Sequence, residues 1–351
     1  MRLEPPPATS SPATAASASG ASAHGQRRRA RLGLWLGALG MLVFALTIPM
    51  TRLACGSADA PQLSPVFVAI GRAGVAGSLA LVYLLVARAR APRREHGRML
   101  LMTICGNVLA WPLLLGLAVR HVDSMHASVI TGLMPLATAA VGALMLGHRP
   151  SRGFWAFAAL GAALVLAFAA WRGAGRPQLG DLLLLGAVAA SATGYITGLR
   201  LTLGPRGLTP EEAISWVLVL ALPVTLPVLV TQWPAMPVRP AAWAGFGYVS
   251  VFSMWMGFFA WYRGLDWGGA LRVSQVQLLQ PFVSILASAP LLGERLEAGT
   301  LGFSIAVMAC VYLGRRMSTG ACAASPPSAP IVDSRRARPK PGALLSRKLP
   351  P

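Results

Sequence analysis

The stretch SVITGLMPLATAAVGALMLGHR, residues 128–149, returns in altered form as SQVQLLQPFVSILASAPLLGER, residues 274–295. At an offset of 146, Ser128 falls on Ser274, Pro135 on Pro281, Gly147 on Gly293 and Arg149 on Arg295. Twelve positions separate the proline from the glycine in both copies. Weaker echoes come earlier, Gly40 on Gly186 and Thr51 on Thr197. A chain that repeats itself at this spacing is built from two copies of one unit.

The nature of the unit follows from the residues around it. Only 12% of the 351 residues are charged and 55% are hydrophobic, which excludes a soluble globular domain and a disordered chain. Ten uncharged runs of at least 17 residues follow one another: 32–51, 60–87 (broken only by Arg72), 99–119, 124–147, 153–171, 182–199, 213–238, 240–262, 273–293 and 298–314. A helix needs about 20 residues, rising about 1.5 Å each, to cross a hydrocarbon core about 30 Å thick. The expected fold is therefore all-α integral membrane, ten transmembrane helices as two inverted five-helix repeats. Five is an odd number, so the second unit enters from the opposite side, a construction common among secondary transporters. The domain reading is a disordered cytoplasmic tail at 1–31, the first repeat at 32–171, the second at 179–315 and a disordered cytoplasmic tail at 316–351. The loops are too short for a folded extramembrane domain. Arg27-Arg28-Arg29 before an apolar run resembles a signal sequence, but the run is long, and 32–50 reads as a retained first helix.

The net charge of +20 would suggest nucleic acid in a soluble protein. Here the 31 basic residues divide by side of the membrane: 24 in segments on one face, six in loops on the other (Arg52, Arg120, Arg172, Arg176, Arg239, Arg295), and Arg72 within a span. The positive-inside rule makes the richer face, with both termini, cytoplasmic, in a bacterial inner membrane. The partners expected are a small-molecule solute and the lipid bilayer, with no nucleic acid, and a homodimer is a further candidate. The four cysteines fit no metal or CxxC spacing, and neither a cofactor nor a metal is expected. Cys55, near the outer face, is expected to be open to thiol reagents.

The repeated segment carries one polar or small stripe per copy. In the fourth span it is Ser128, Thr131, Pro135, Thr138 and Gly142; in the ninth it is Ser274, Gln277, Pro281, Ser284 and Ser288. Steps of three and four put each set on one helical face. Two readings stay open for the small residues: a cavity wall, or close helix packing. Gln277 and Gln280 favour the cavity, because an amide facing lipid leaves its donors and acceptors unpaired. Pro135 and Pro281 each free a carbonyl one turn earlier and supply either a hinge or a static kink. Arg72 either snorkels to the interface or faces the pathway and pairs with a substrate carboxylate or a carbonyl. Asn107, Trp111, Tyr195 and Trp255 are further candidates for the binding surface, whereas Trp261 and Tyr262 suit the interfacial aromatic belt. Asp123, Asp181, Glu211, Glu212, Glu294 and Glu297 sit at span ends, and His126 reads as interfacial. With no acid at mid-membrane, the expected solutes are neutral, zwitterionic or anionic rather than polycationic.

Taken together, Pro135 to Gly147, Pro281 with Leu292-Gly293-Glu294-Arg295-Leu296, the run Phe259-Ala260-Trp261-Tyr262-Arg263-Gly264-Leu265 and the arginine at 72 resemble the drug/metabolite transporter superfamily, in particular its EamA-type members. The likeness covers about residues 32–315. His148 stands where that family usually has Glu, so no role of that acid carries over to the first copy. The resemblance implies two five-helix bundles around a central pathway, and efflux or exchange of a small organic solute such as an amino acid, metabolite or drug. Alternating access is the expected mechanism. The rival classes are a non-transporting multi-pass membrane enzyme or a sensor. Against the first, the sequence has no HExxH motif, no buried Asp pair and no Ser/His dyad.

Overall fold

The computed structural model describes residues 12–322 except 147–150, 174–177, 204–206, 269–272 and 274–275. Ser274, the Gly147-His148-Arg149 end of the first copy and Arg176 lie outside the described residues. Among the described residues the structure is helical, and the extended pairing consists of an isolated bridge between Gly56 and Pro61. The helices are α1 (Arg28–Cys55), α2 (Phe67–Val86), α3 (Arg94–His121), α4 (Ser124–Met145), α5 (Arg152–Arg172), α6 (Leu179–Leu201) and α7 (Pro210–Thr231). There follow α8, continuous through Pro240–Tyr248, Val249–Met256 and Gly257–Gly268, then α9 (Gln277–Leu292) and α10 (Ala298–Gly314). The first seven are long and apolar enough to cross a membrane, and α9 and α10 are apolar but shorter. Valine and leucine side chains on their outer faces, such as Val82, Leu85 and Val86 of α2 and Val224 and Val230 of α7, are exposed, as a lipid-facing surface requires. The chain is a multi-pass membrane protein.

The helix containing α1 begins at Pro12, within the segment 1–31 expected to be a disordered tail. That stretch is rich in alanine, the strongest helix former. The last helix likewise runs on to Cys322, beyond the expected tail boundary at 316.

Prolines set several of the irregularities. Pro49 cannot bond to the carbonyl of Ala45, and α1 turns at Leu46 between them. In α4 the helix breaks at Gly132-Leu133, just before Pro135. In α9 a tighter 3₁₀ turn at Gln277–Leu279 precedes Pro281. The two equivalent prolines thus interrupt their helices at the same point. Wide π turns occupy Ile104–Ala110 of α3, just before Pro112, and Val249–Met256 of α8. A shift of 146 residues carries the first of these onto 250–256, within the second.

Closely packed helix pairs build the bundle, among them α1 with α8, α3 with α6, α2 with α7, α5 with α10, α4 with both α6 and α9, and α9 with α1. Glycine lets two of them close. A Cβ on Gly264 of α8 would lie 2.5 Å from the Gly37 nitrogen of α1, and one on Gly106 of α3 would lie 2.5 Å from the Ala190 carbonyl of α6. Membrane helices gain little from burying apolar surface that lipid covers equally well, so backbone proximity of this kind carries the association. Two expectations are corrected. Trp261 is not at an interface: it is 2% exposed, packed on Gly40 and set edge-on to Phe44. Cys55 is fully buried at the end of α1, beyond the reach of a thiol reagent in this conformation. In both cases neighbouring helices overlie a span end that sequence position alone makes look exposed.

Candidate functional site

The two copies of the repeated segment meet in an antiparallel seam. Ser124 Oγ lies 2.9 Å from Ser288 Oγ, and one turn further Ser128 Oγ lies 2.7 Å from Ser284 Oγ. All four serines are buried. Ser128 donates its proton to the Ser124 carbonyl and Ser288 donates to the Ser284 carbonyl. A hydroxyl has one proton, so Ser284 and Ser124 are the donors across the seam. Next, Gly132 packs on Pro281, where an added Cβ would lie 3.6 Å from the ring. Beyond this point the helices part, and the Met134–Leu146 half of α4 packs chiefly on α6. Thr131, Pro135, Thr138, Gln277 and Gln280, on the diverging side, are all half-buried. The seam is a V, dry at its apex, whose arms diverge beyond the prolines.

Charge closes the apex. Glu294, in the turn after α9, accepts the backbone N–H of Ser124 at 2.8 Å and of Met125 at 2.9 Å, one on each oxygen. It caps the positive end of α4 from the other repeat. Burial pushes the Glu294 carboxyl above the ordinary glutamate range, against the pull of those two N–H donors. Around it run Arg172 to Asp123 at 3.0 Å, Arg172 to Glu297, and Arg52 to Asp123 at 3.9 Å. Arg52 also donates to the carbonyls of Val119 and Val122. These side chains, with Arg239 and Arg295, line a mouth-like cavity of about 600 Å³ at that end of the bundle.

Beside the apex lies a pair that sequence position concealed. His126 of α4 and Asp181 of α6 meet Nε2 to Oδ1 at 2.5 Å, with side chains 4% and 2% exposed. His126 is therefore buried, not interfacial, and lies tilted against Phe168 with ring centroids 4.8 Å apart. The second Asp181 oxygen accepts the N–H of Gln178 at 2.7 Å and caps α6. Nothing in the sequence links positions 55 apart. An acid three residues into a helix reads as a cap, which Asp181 is, and the histidine is added only by the fold. Among the described residues no group of three His, Cys, Asp or Glu side chains could hold a metal.

The other expected site residues are dispersed. Asn107 sits in the wide turn of α3 and accepts a hydrogen bond from Ser191 of α6 at 3.2 Å. A Cβ on Gly194 would come within 2.8 Å of it. Ser253, its equivalent in α8, bonds Thr47 of α1 at 2.8 Å. Both therefore serve helix contacts. Thr131 bonds back to the Ala127 carbonyl at 2.8 Å. Trp111 packs against the main apolar core, Tyr195 is half-buried in α6, and Trp255 lies in an aromatic group with Tyr83 and Phe259, its Nε1 3.5 Å from Ser215 Oγ. Arg72 does not snorkel: it is 2% exposed, and its Nε and Nη1 are buried with no hydrogen-bond acceptor in reach.

This double architecture matches a known family model twice, the EamA-like transporter family, over residues 31–170 and 178–314. The chain belongs to the EamA-like transporter family. An uncharacterized transporter of Bacillus subtilis (strain 168), YdeK, is 41% identical over 289 residues, covering 81% of this chain and 97% of that protein. A solved structure titled only as a crystal structure of a protein shares the fold at a TM-score of 0.56 with 15% identity, covering 82% of this chain and 98% of its own.

Proposed function

We propose that this transporter is a secondary carrier of the bacterial inner membrane that exports a small organic solute, such as an amino acid, metabolite or drug, by alternating access. In this reading ten helices cross the membrane as two inverted repeats with both termini in the cytoplasm. One observation carries the reading. Adding five to each helix number turns the α1–α8 pair into the α6–α3 pair, while α2–α7, α4–α9 and α5–α10 each map onto themselves. This is the contact pattern of a two-fold axis relating the halves, and an odd number of crossings per half makes that axis lie in the membrane plane. The matched π turns of α3 and α8 and the matched proline breaks support it.

The arginine distribution supports placing the Glu294 end at the outer face. The present conformation then faces inward, with the outer part of the α4–α9 seam shut by paired serines and the inner part splayed and polar. Thr131, Pro135, Thr138, Gln277 and Gln280 line the path offered to a cytoplasmic solute, and the prolines are the hinges about which α4 and α9 exchange closed and open ends. The test has two stages. Solutes enriched in the medium of cells that make the protein are identified against cells that do not. Each is then measured for saturable flux in proteoliposomes. Flux of at least one supports the carrier; no saturable flux of any would favour a membrane enzyme or sensor.

A further inference from the structure

Arg72 presents a physical problem that the bundle does not solve. A guanidinium stays charged at any accessible pH and carries five donors. Burying it without a counter-charge is strongly unfavourable, and more so inside a membrane. Among the described residues the carboxylates facing the bundle are committed elsewhere: Asp123 and Glu297 to Arg172, Asp181 to His126, Glu294 to the start of α4, Glu211 to Arg263. The positive charge is also not isolated. Arg52, Arg72 and Arg120 all lie within electrostatic reach of Cys55, and Arg120 Nε is likewise buried without a partner. Arg52 lines the outer cavity. The arginines thus run from the cavity to the buried site beside α1, a positive potential focused by low-dielectric walls.

We infer that Arg72 anchors a single carboxylate of the transported solute, making that solute a monocarboxylate or a zwitterion such as an amino acid. Of the neighbouring arginines, Arg52 is held by Asp123 and the Val119 and Val122 carbonyls and Arg120 donates to the Leu63 carbonyl, so Arg72 is the guanidinium left to bind one carboxylate. In the present conformation the two nitrogens are sealed from solvent, so the carboxylate reaches them in another state of the cycle. This assignment deepens the carrier reading and rests on it for the delivery of the solute, but binding at Arg72 can be measured without transport.

The probe is acetate, with acetamide, chloride and phosphatidylglycerol as comparisons, added to the full-length protein in detergent while thermal unfolding is followed. Acetate is expected to raise the unfolding midpoint of the wild type, and acetamide and chloride are not. Arg72→Gln, which removes the buried charge, is expected to unfold no earlier than the wild type without added anion and to lose the acetate response; Arg72→Lys keeps part of it. A large loss of stability in Arg72→Gln without anion would make the arginine a structural prop and overturn the assignment. So would equal protection by chloride, protection by the lipid alone, or an acetate response that survives in Arg72→Gln. In proteoliposomes, Arg72→Gln is expected to lose flux of the solute identified from the medium. Absence of flux for every solute, with the acetate response intact, would sink the carrier reading and leave the anion site standing. Normal flux with no acetate response would do the opposite.

Discussion

Ser128 and Ser284 touch hydroxyl to hydroxyl at 2.7 Å, with Ser284 the donor because the Ser128 proton is held by its own helix. The contact joins the first repeat to the second with no room for water between them. It also divides the stripe: the serines toward Glu294 form a buried, paired seal, whereas Thr131, Pro135, Thr138, Gln277 and Gln280 beyond them are half-buried.

Interhelical hydrogen bonds in membranes contribute about 0.6 kcal/mol on average, because the separated helices find other partners. A double-mutant cycle of Ser128→Ala and Ser284→Ala should return a coupling energy of about that size, equivalent to about a threefold change in an equilibrium. Unfolding in detergent measures it. A coupling of zero would show that the pair only fills space.

Glu294 gives the seal a pH dependence of definite sign. Its carboxyl titrates above the ordinary glutamate range because burial of the charge outweighs the two N–H bonds it accepts. The closed apex therefore binds a proton more tightly than an opened, solvated apex does. Closure is favoured below this titration and loses that advantage as pH rises through it. Exchange of the Ser124 and Met125 amides, corrected for the intrinsic rate, should quicken as pH climbs from the acid side through that range. In Glu294→Gln the corrected exchange should be flat over the same range, and an unchanged pH dependence there would assign the effect to another group.

The His126–Asp181 pair is a stability element whatever else it does. Removing one member of a buried hydrogen-bonded pair that includes a carboxylate costs about 1–3 kcal/mol or more, since the survivor keeps its desolvation without its partner. His126→Ala should therefore unfold below the wild type. The double change His126→Leu with Asp181→Asn should recover part of the loss, although Asp181 also caps α6 and Asn caps less well as an acceptor. If the double variant lost as much as His126→Leu and Asp181→Asn lose separately, added together, the two residues would act independently.

Asn107→Leu and Gln277→Leu should behave differently. Asn107 is pressed against Gly194, with an added Cβ there only 2.8 Å away, so a branched apolar side chain at 107 loses the Ser191 hydrogen bond and overfills the α3–α6 contact. Its folded yield should fall. Gln277 is half-buried on the diverging arm of the V. Its leucine variant should fold to normal yield, judged by gel filtration, and lose solute flux. Equal yields and equal flux in both would remove Gln277 from the pathway.

The sequence by itself determined the medium, the all-helical fold class and the two-copy construction. Runs of apolar residues bounded by charge and a proline-to-glycine spacing kept in both copies are one-dimensional properties, fixed by hydrocarbon thickness and backbone covalency. It also picked out Ser128, Ser284, Gln277 and Arg72 as unusual. Only the tertiary structure decided what they do. It set Ser128 against Ser284 and Asn107 against α6, carried His126 to Asp181, and put Glu294 under the first turn of α4. It left Arg72 without an acceptor. Burial and pairing depend on which helix lies across a residue. In a bundle whose partners exchange between repeats, that neighbour is often more than a hundred residues away along the chain, as Ser284 is from Ser128, where no local periodicity can register it.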